Sequence, residues 1–151
     1  MPSSKHLREA TQVPRTAAWL GATGLIPFVT ASLALWTLPS HDAALITPLL
    51  LTYAAIILSF MGAVHWGLAM AAGAGTARWF VSSVVPALVG WCALMLAPRA
   101  ACALFAIAFV AVYGLDHVAI AAGRAPAWYR RLRMPLTVVV VTSLAASGFA
   151  L

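Results

Sequence analysis

Two histidines and one aspartate lie within the long apolar stretches of this sequence: His65, His117 and Asp116. An imidazole titrates near neutral pH and can ligate iron, whereas a carboxylate in an apolar medium needs a cation, a proton or water beside it. The two histidines are the minimum needed to hold a haem b, and Asp116 with His65 could bind a quinone or carry a proton or solute. Since no H-E-x-x-H, G-x-S-x-G or phosphate-loop motif occurs, we expect no catalysis by the chain itself.

Membrane helices are the elements that must position these residues. The chain has 151 residues, of which 64% are hydrophobic and only 8% are charged, whereas soluble domains average about 45–50% and about 25%. Lipid offers no hydrogen-bond partner to the backbone, and about 20 helical residues cross a hydrocarbon core of about 30 Å. We therefore predict an all-α fold, a polytopic bundle of five transmembrane helices after a cytoplasmic segment 1–15. The predicted spans are about 16–38, 43–72, 78–97, 100–122 and 134–151.

The basic residues predict the orientation of this bundle. With the N-terminus in the cytoplasm and the C-terminus outside, only Arg99 would lie on the outer side, and such a bias favours this topology. The net charge of +6 then serves insertion and contact with the lipid bilayer, not binding to nucleic acid. The inner side would hold Lys5, Arg8, Arg15, Arg78, Arg124, Arg130, Arg131 and Arg133.

The same topology predicts a polar layer in the inner leaflet. The second and fourth helices both run inward, and His65 and Asp116 each lie several residues before the inner end, which is roughly 8–10 Å below the interface. An intramembrane carboxylate needs a partner, and Arg133 and Arg15 are the candidates for an ion pair with Asp116. The full candidate cluster, or ligand site, comprises Ser59, His65, Trp66, Ser82, Ser83, Tyr113, Asp116 and His117.

Each of these residues can also have a purely structural role. Asp116 can be an anchor that is salt-bridged to an arginine, and His65 can be an interhelical hydrogen-bond donor. Small residues in the second helix predict close helix packing, with Trp66 packed in the core beside them. The small residues are Ala55, Ser59, Ala63 and Gly67, with Gly62 close by, and the expected interfacial aromatic anchors are Trp79, Trp128 and Tyr129.

Three motifs resemble one known family. They are G-L-I-P-F at Gly24–Phe28, S-F-M-G-A-V-H-W-G at Ser59–Gly67, and P-A-W-Y-R-R-L-R-M-P-L-T at Pro126–Thr137. The three motifs occur in the same order, and over nearly the whole chain, as in the membrane-protein family that they resemble. This family is called domain of unknown function 3429, the transmembrane protein 69-like proteins. The resemblance implies a multi-helix protein of the bacterial inner (cytoplasmic) membrane, or alternatively of the mitochondrial inner membrane. It implies no activity, and His117 lies outside its motifs.

Two functions remain open at this point. The first is a non-catalytic accessory or assembly subunit that contacts another membrane complex and holds no cofactor or metal. The second is a small-molecule or proton site around His65 and Asp116, which would bind a quinone or a haem ligated by His65 and His117, or would carry a proton or solute. A copurifying protein complex would indicate the first function, and a copurifying chromophore or quinone the second.

Overall fold

The computed structural model describes residues 12–72 and 77–151, and helices account for nearly all of them. The first apolar segment forms two helices, α1 (Arg15–Gly24) and α2 (Ile26–Thr37). They separate at Leu25, because Pro27 has no N–H to donate to the carbonyl of Thr23. The other helices of the described chain are α3 (Ser40–Ala72), α4 (Ala77–Ala93), α5 (Pro98–Ala121) and α6 (Ala127–Ala150).

These helices form the predicted all-helical membrane bundle. In the described part of the chain, four helical stretches are long and apolar enough to cross a bilayer. The fifth, α4, has 17 residues, or about 26 Å at 1.5 Å per residue, which is slightly short of a hydrocarbon core. The all-α membrane class is confirmed, whereas the count of five spans stays a prediction. The four long stretches are Arg15–Thr37, His41–Ala72, Pro98–Ala121 and Ala127–Ala150.

The last helix begins earlier than the sequence predicts. It starts at Ala127 rather than at Met134, so Pro135 lies inside α6 and not in its first turn. Arginine and leucine are good helix formers, and they continue the helix through the basic connector. These two additional turns place Tyr129 and Arg133 on α6 itself.

Two antiparallel pairs, α3 with α4 and α5 with α6, form most of the bundle, and α2 packs against α3 and α6. The core is centred on Phe28, which meets the rings of Phe109 and Tyr53 edge-on at 6.0 and 5.2 Å between centroids. Across α2 and α6, the hydroxyl of Ser32 donates to the carbonyl of Ser143 at 3.1 Å. Fully buried side chains around this core include Leu50, Leu58, Phe105 and Leu144.

The buried face of α3 is not the one that the small residues suggest. Gly62 is buried, and a Cβ there would collide with the backbone carbonyl of Ser83 on α4. Ala63 and Gly67 are exposed instead, and a Cβ at Gly67 would meet no described atom within 4 Å. Ala63 and Gly67 therefore do not belong to the face that α3 buries within the described bundle, which carries Leu58, Gly62, His65 and Ala69. Of the expected packing residues, Ala55 lies against Gly90 of α4.

Trp66 also differs from its expected core position. Its side chain is 45% exposed, and its ring meets Phe80 of α4 edge-on at 4.9 Å. Trp79 differs in the opposite direction, because it was expected at the membrane interface and is 4% exposed. Each of the two tryptophans thus lies in the environment that the sequence predicts for the other.

Candidate functional site

Three helices bring a histidine, a carboxylate and a guanidinium together inside the bundle. His65 of α3, Asp116 of α5 and Arg133 of α6 are exposed by 0%, 1% and 6%. Arg133 Nε donates to Asp116 Oδ2 at 2.7 Å. Of the two cations expected for Asp116, Arg133 is thus the one in contact, while Arg15 is exposed at the start of α1. The guanidinium stabilises the ionised carboxylate, which would be costly to bury alone.

The second carboxylate oxygen faces the histidine. Asp116 Oδ1 lies 3.1 Å from His65 Nε2, but the two groups are misaligned and neither atom completes a hydrogen bond. The contact with Arg133 is therefore the hydrogen-bonded one of the two, and the contact with His65 is close but not hydrogen-bonded. Asp116 joins α3 to α6 through its two oxygens, and it lies on α5 between them.

A tryptophan extends this group toward the end of the bundle that carries most arginines. The rings of His65 and Trp79 stack with centroids 6.1 Å apart and planes 11° apart. The guanidinium carbons of Arg124 and Arg78 lie 5.0 and 5.6 Å from the Trp79 centroid, within the range of cation–π attraction. We call His65, Trp79, Asp116, Arg124 and Arg133 the polar cluster.

Several atoms in and beside the polar cluster are buried and not satisfied by the chain. Within residues 12–72 and 77–151 they include Arg133 Nη2, Thr137 Oγ1, Trp79 Nε1, Arg124 Nη1 and His65 Nδ1. A buried polar atom without a hydrogen bond costs about 1–3 kcal/mol. Arginine and tryptophan side chains only donate hydrogen bonds. The arginine and tryptophan nitrogens of this set can therefore be satisfied only by an acceptor atom.

An apolar cavity of about 360 Å³ adjoins the cluster on its α6 side. Arg133 and Thr137 lie on its wall, one helical turn apart on α6, and Trp128 and Tyr129 lie at the same end. Leu20 of α1 and Phe60 of α3 also line it and are exposed at the surface of the bundle. We call this space the lateral cleft. Its remaining lining is Ala17, Gly21, Gly24, Leu25, Phe28, Ile57, Met61, Val64, Phe109, Leu132, Leu136 and Val140.

The three serines expected in the polar layer bond to their own helices. Ser59 donates to the carbonyl of Ala55 at 2.8 Å, and Ser83 donates to that of Phe80 at 2.7 Å. Ser82 donates to Trp79 O at 3.0 Å. Such bonds to the preceding turn satisfy a hydroxyl locally, so these serines lie outside the polar cluster.

Tyr113 and His117 form a separate pair. Their ring centroids lie 4.6 Å apart, and His117 is exposed whereas Tyr113 is partly buried. Consecutive side chains leave a helix about 100° apart, so His117 points away from the direction in which Asp116 meets His65. This arrangement gives no support to a haem shared by His65 and His117.

Sequence reasoning missed Thr137, Trp79 and Arg124 as members of the site. One signal was available for Thr137, since it lies four residues after Arg133 and so shares its helical face. Trp79 and Arg124 carry no such signal, because Trp79 lies near the start of α4 and Arg124 in the connector after α5, where aromatic and basic residues are ordinary. Trp128 and Tyr129, the predicted interfacial anchors, lie next to each other with ring centroids 6.1 Å apart.

Fold and site together define a small helical membrane protein with an ion pair buried among its helices. A family model described as "Protein of unknown function (DUF3429)" matches residues 13–149, and the chain belongs to this family. Over 146 residues it is 34% identical to Transmembrane protein 69 of Xenopus tropicalis. The matched region covers 95% of this chain and 56% of that protein. The chain thus spans little more than half the length of this relative. No solved structure matches.

Proposed function

We propose that this chain is a non-catalytic accessory protein of the membrane that binds a small apolar molecule in the lateral cleft. One observation carries the proposal: Arg133 Nη2 and Thr137 Oγ1 are buried, lack hydrogen-bond partners among residues 12–72 and 77–151, and belong to residues on the wall of an otherwise apolar cavity. Ligand sites are commonly apolar cavities of about 300–1,000 Å³ with a few polar groups that orient the ligand. The cleft has both properties.

The position of the cleft supports entry from lipid. In the described structure, α1 packs along α6 and α2 but makes no close backbone contact with α3. The exposed side chains of Leu20 and Phe60 border the resulting gap. A molecule dissolved in the bilayer would therefore reach Arg133 sideways between α1 and α3. We propose a bacterial inner membrane as the location, with a mitochondrial inner membrane as the alternative.

A pair of neighbouring alanines tests ligand binding. Ala17 lines the cleft, whereas Ala18 is exposed and lies outside it. Membranes containing the full chain are solubilised in mild detergent, and the extract of the purified protein is analysed by mass spectrometry. We expect a stoichiometric apolar compound with the unsubstituted chain and with Ala18→Phe, and its loss with Ala17→Phe. Equal amounts in all three preparations would contradict the proposal, with melting temperatures serving as the check on folding.

Contact with another membrane complex is the second candidate function, and the exposed face of α3 favours it. Ala63 and Gly67 are four residues apart and exposed, and small residues at this spacing let a second helix approach closely. Gly67→Leu should dissociate a complex seen on native gels, and Gly114→Leu is the matched control at another exposed glycine. A complex that survives Gly67→Leu would exclude this face as the contact.

A further inference from the structure

We propose that the molecule bound in the lateral cleft is a lipid-soluble quinone, held through one ring carbonyl by Arg133 and Thr137. The inference rests on the proposed function, because it names the ligand of the same cavity. It goes further in specifying the polar group of that ligand, its charge and its shape.

The hydrogen-bonding groups favour a carbonyl. Arg133 and Thr137 are four residues apart on α6, so their side chains lie on one face. Arg133 Nη2 can only donate, and the hydroxyl of Thr137 has no acceptor in the described part of the chain. Two donors beside one cavity suit an oxygen with two lone pairs, which a carbonyl provides.

The charge of the site favours a neutral ligand. Arg133 is the charged residue of the cleft lining, and its guanidinium is already paired with Asp116 at 2.7 Å. A phosphate or fatty-acid carboxylate placed on Arg133 would share that guanidinium with a buried carboxylate and leave one negative charge without a cation. Uncompensated charge is costly in such surroundings, whereas a quinone carbonyl adds no charge.

The shape of the cleft suits a planar ring with one tail. Phe28 and Phe109 line its inner wall, and Trp128 and Tyr129 lie near its polar end. Aromatic side chains bind planar rings by offset or edge-on contacts. The gap between α1 and α3 would let an isoprenoid tail remain in the bilayer while the ring is inside.

A hydroxyl deletion tests the carbonyl contact. The full chain is placed in phosphatidylcholine nanodiscs and titrated with decylubiquinone, and bound quinone is measured after separation from empty nanodiscs. Thr137→Val keeps the volume of the side chain but removes the donor, and we expect about a three- to tenfold loss of affinity, as for one hydrogen bond. Thr142→Val is the control, because the Thr142 hydroxyl is exposed and donates to Val138 O at 2.8 Å.

The outcomes separate this inference from the proposed function. Saturable binding that Thr137→Val weakens and Thr142→Val leaves unchanged supports the quinone. Saturable binding that is equal in both variants overturns the Thr137 contact. If decylubiquinone does not bind while oleate or a diacyl lipid is retained and is lost in Ala17→Phe, the quinone inference fails and the cleft remains a ligand site. If nothing is retained by the unsubstituted chain, both fail.

Discussion

Arg133 Nε lies 2.7 Å from Asp116 Oδ2 across α5 and α6, and both side chains are almost fully buried. The pair fixes the rotation of α6 about its axis, because Arg133 can reach Asp116 from one face of that helix only. The same rotation presents Thr137 to the lateral cleft. The ion pair therefore also determines that Thr137 is one of the residues that line the lateral cleft.

Removing either partner of this pair should reduce the amount of folded protein in membranes. Asp116→Ala and Arg133→Ala should each lower the free energy of unfolding by about 3–5 kcal/mol, because each leaves an opposite charge buried alone. The double variant should be no less stable than either single one. Thermal melting in detergent measures this, and additive losses would show that the two residues do not stabilise each other.

Gly62→Ala should destabilise the bundle, whereas Gly67→Ala should not. A Cβ at residue 62 would collide with the Ser83 carbonyl, which is backbone and cannot rotate away. Forced overpacking of this kind costs about 1–3 kcal/mol. A Cβ at residue 67 would meet nothing within 4 Å in the part of the chain that the structure describes, so alanine should be neutral or stabilising by up to about 1 kcal/mol through helix propensity. Equal melting temperatures for the two variants would contradict the packing of α3 on α4.

Thr137→Val should stabilise the ligand-free protein, by about 1 kcal/mol. The Thr137 hydroxyl is buried without a hydrogen-bond partner among the described residues, and an apolar group of the same shape removes that cost. Thr142→Val removes a satisfied hydroxyl and should be neutral or slightly destabilising. The measurement is thermal melting of delipidated protein in detergent. A loss of stability in Thr137→Val would indicate that the chain itself satisfies this hydroxyl.

Cysteine labelling should place the two ends of the α3–α5 segment on opposite sides of the membrane. In a chain with alanine at residues 92 and 102, His41→Cys should react with an impermeant maleimide in intact cells. Ala122→Cys should react only after lysis, because three spans would separate the two positions. Labelling of both in intact cells would show that α4 does not cross, and the reverse pattern would invert the predicted orientation.

Depth along the helices could be predicted from sequence, but rotation about their axes could not. His65 and Asp116 were placed at one level by counting 1.5 Å per residue, and they do meet. Trp66, Ala63 and Gly67 were misplaced because apolar residues cover all faces of α3, and lipid accepts each face as readily as a neighbouring helix does. The serines illustrate a second limit. The sequence does not distinguish a serine hydroxyl that bonds to the backbone of its own helix from one that bonds to another helix.

The contact between the Tyr53 hydroxyl and the carbonyl of Gly24, at 3.0 Å, has a mechanical consequence for α1. It fastens the chain to α3 beside the break at Leu25, so the end of α1 near Gly24 is held while its other end is not held to α3. A tilt of α1 about Leu25 would therefore change the width of the lateral cleft. Tyr53→Phe would remove this contact without changing any residue that lines the cleft.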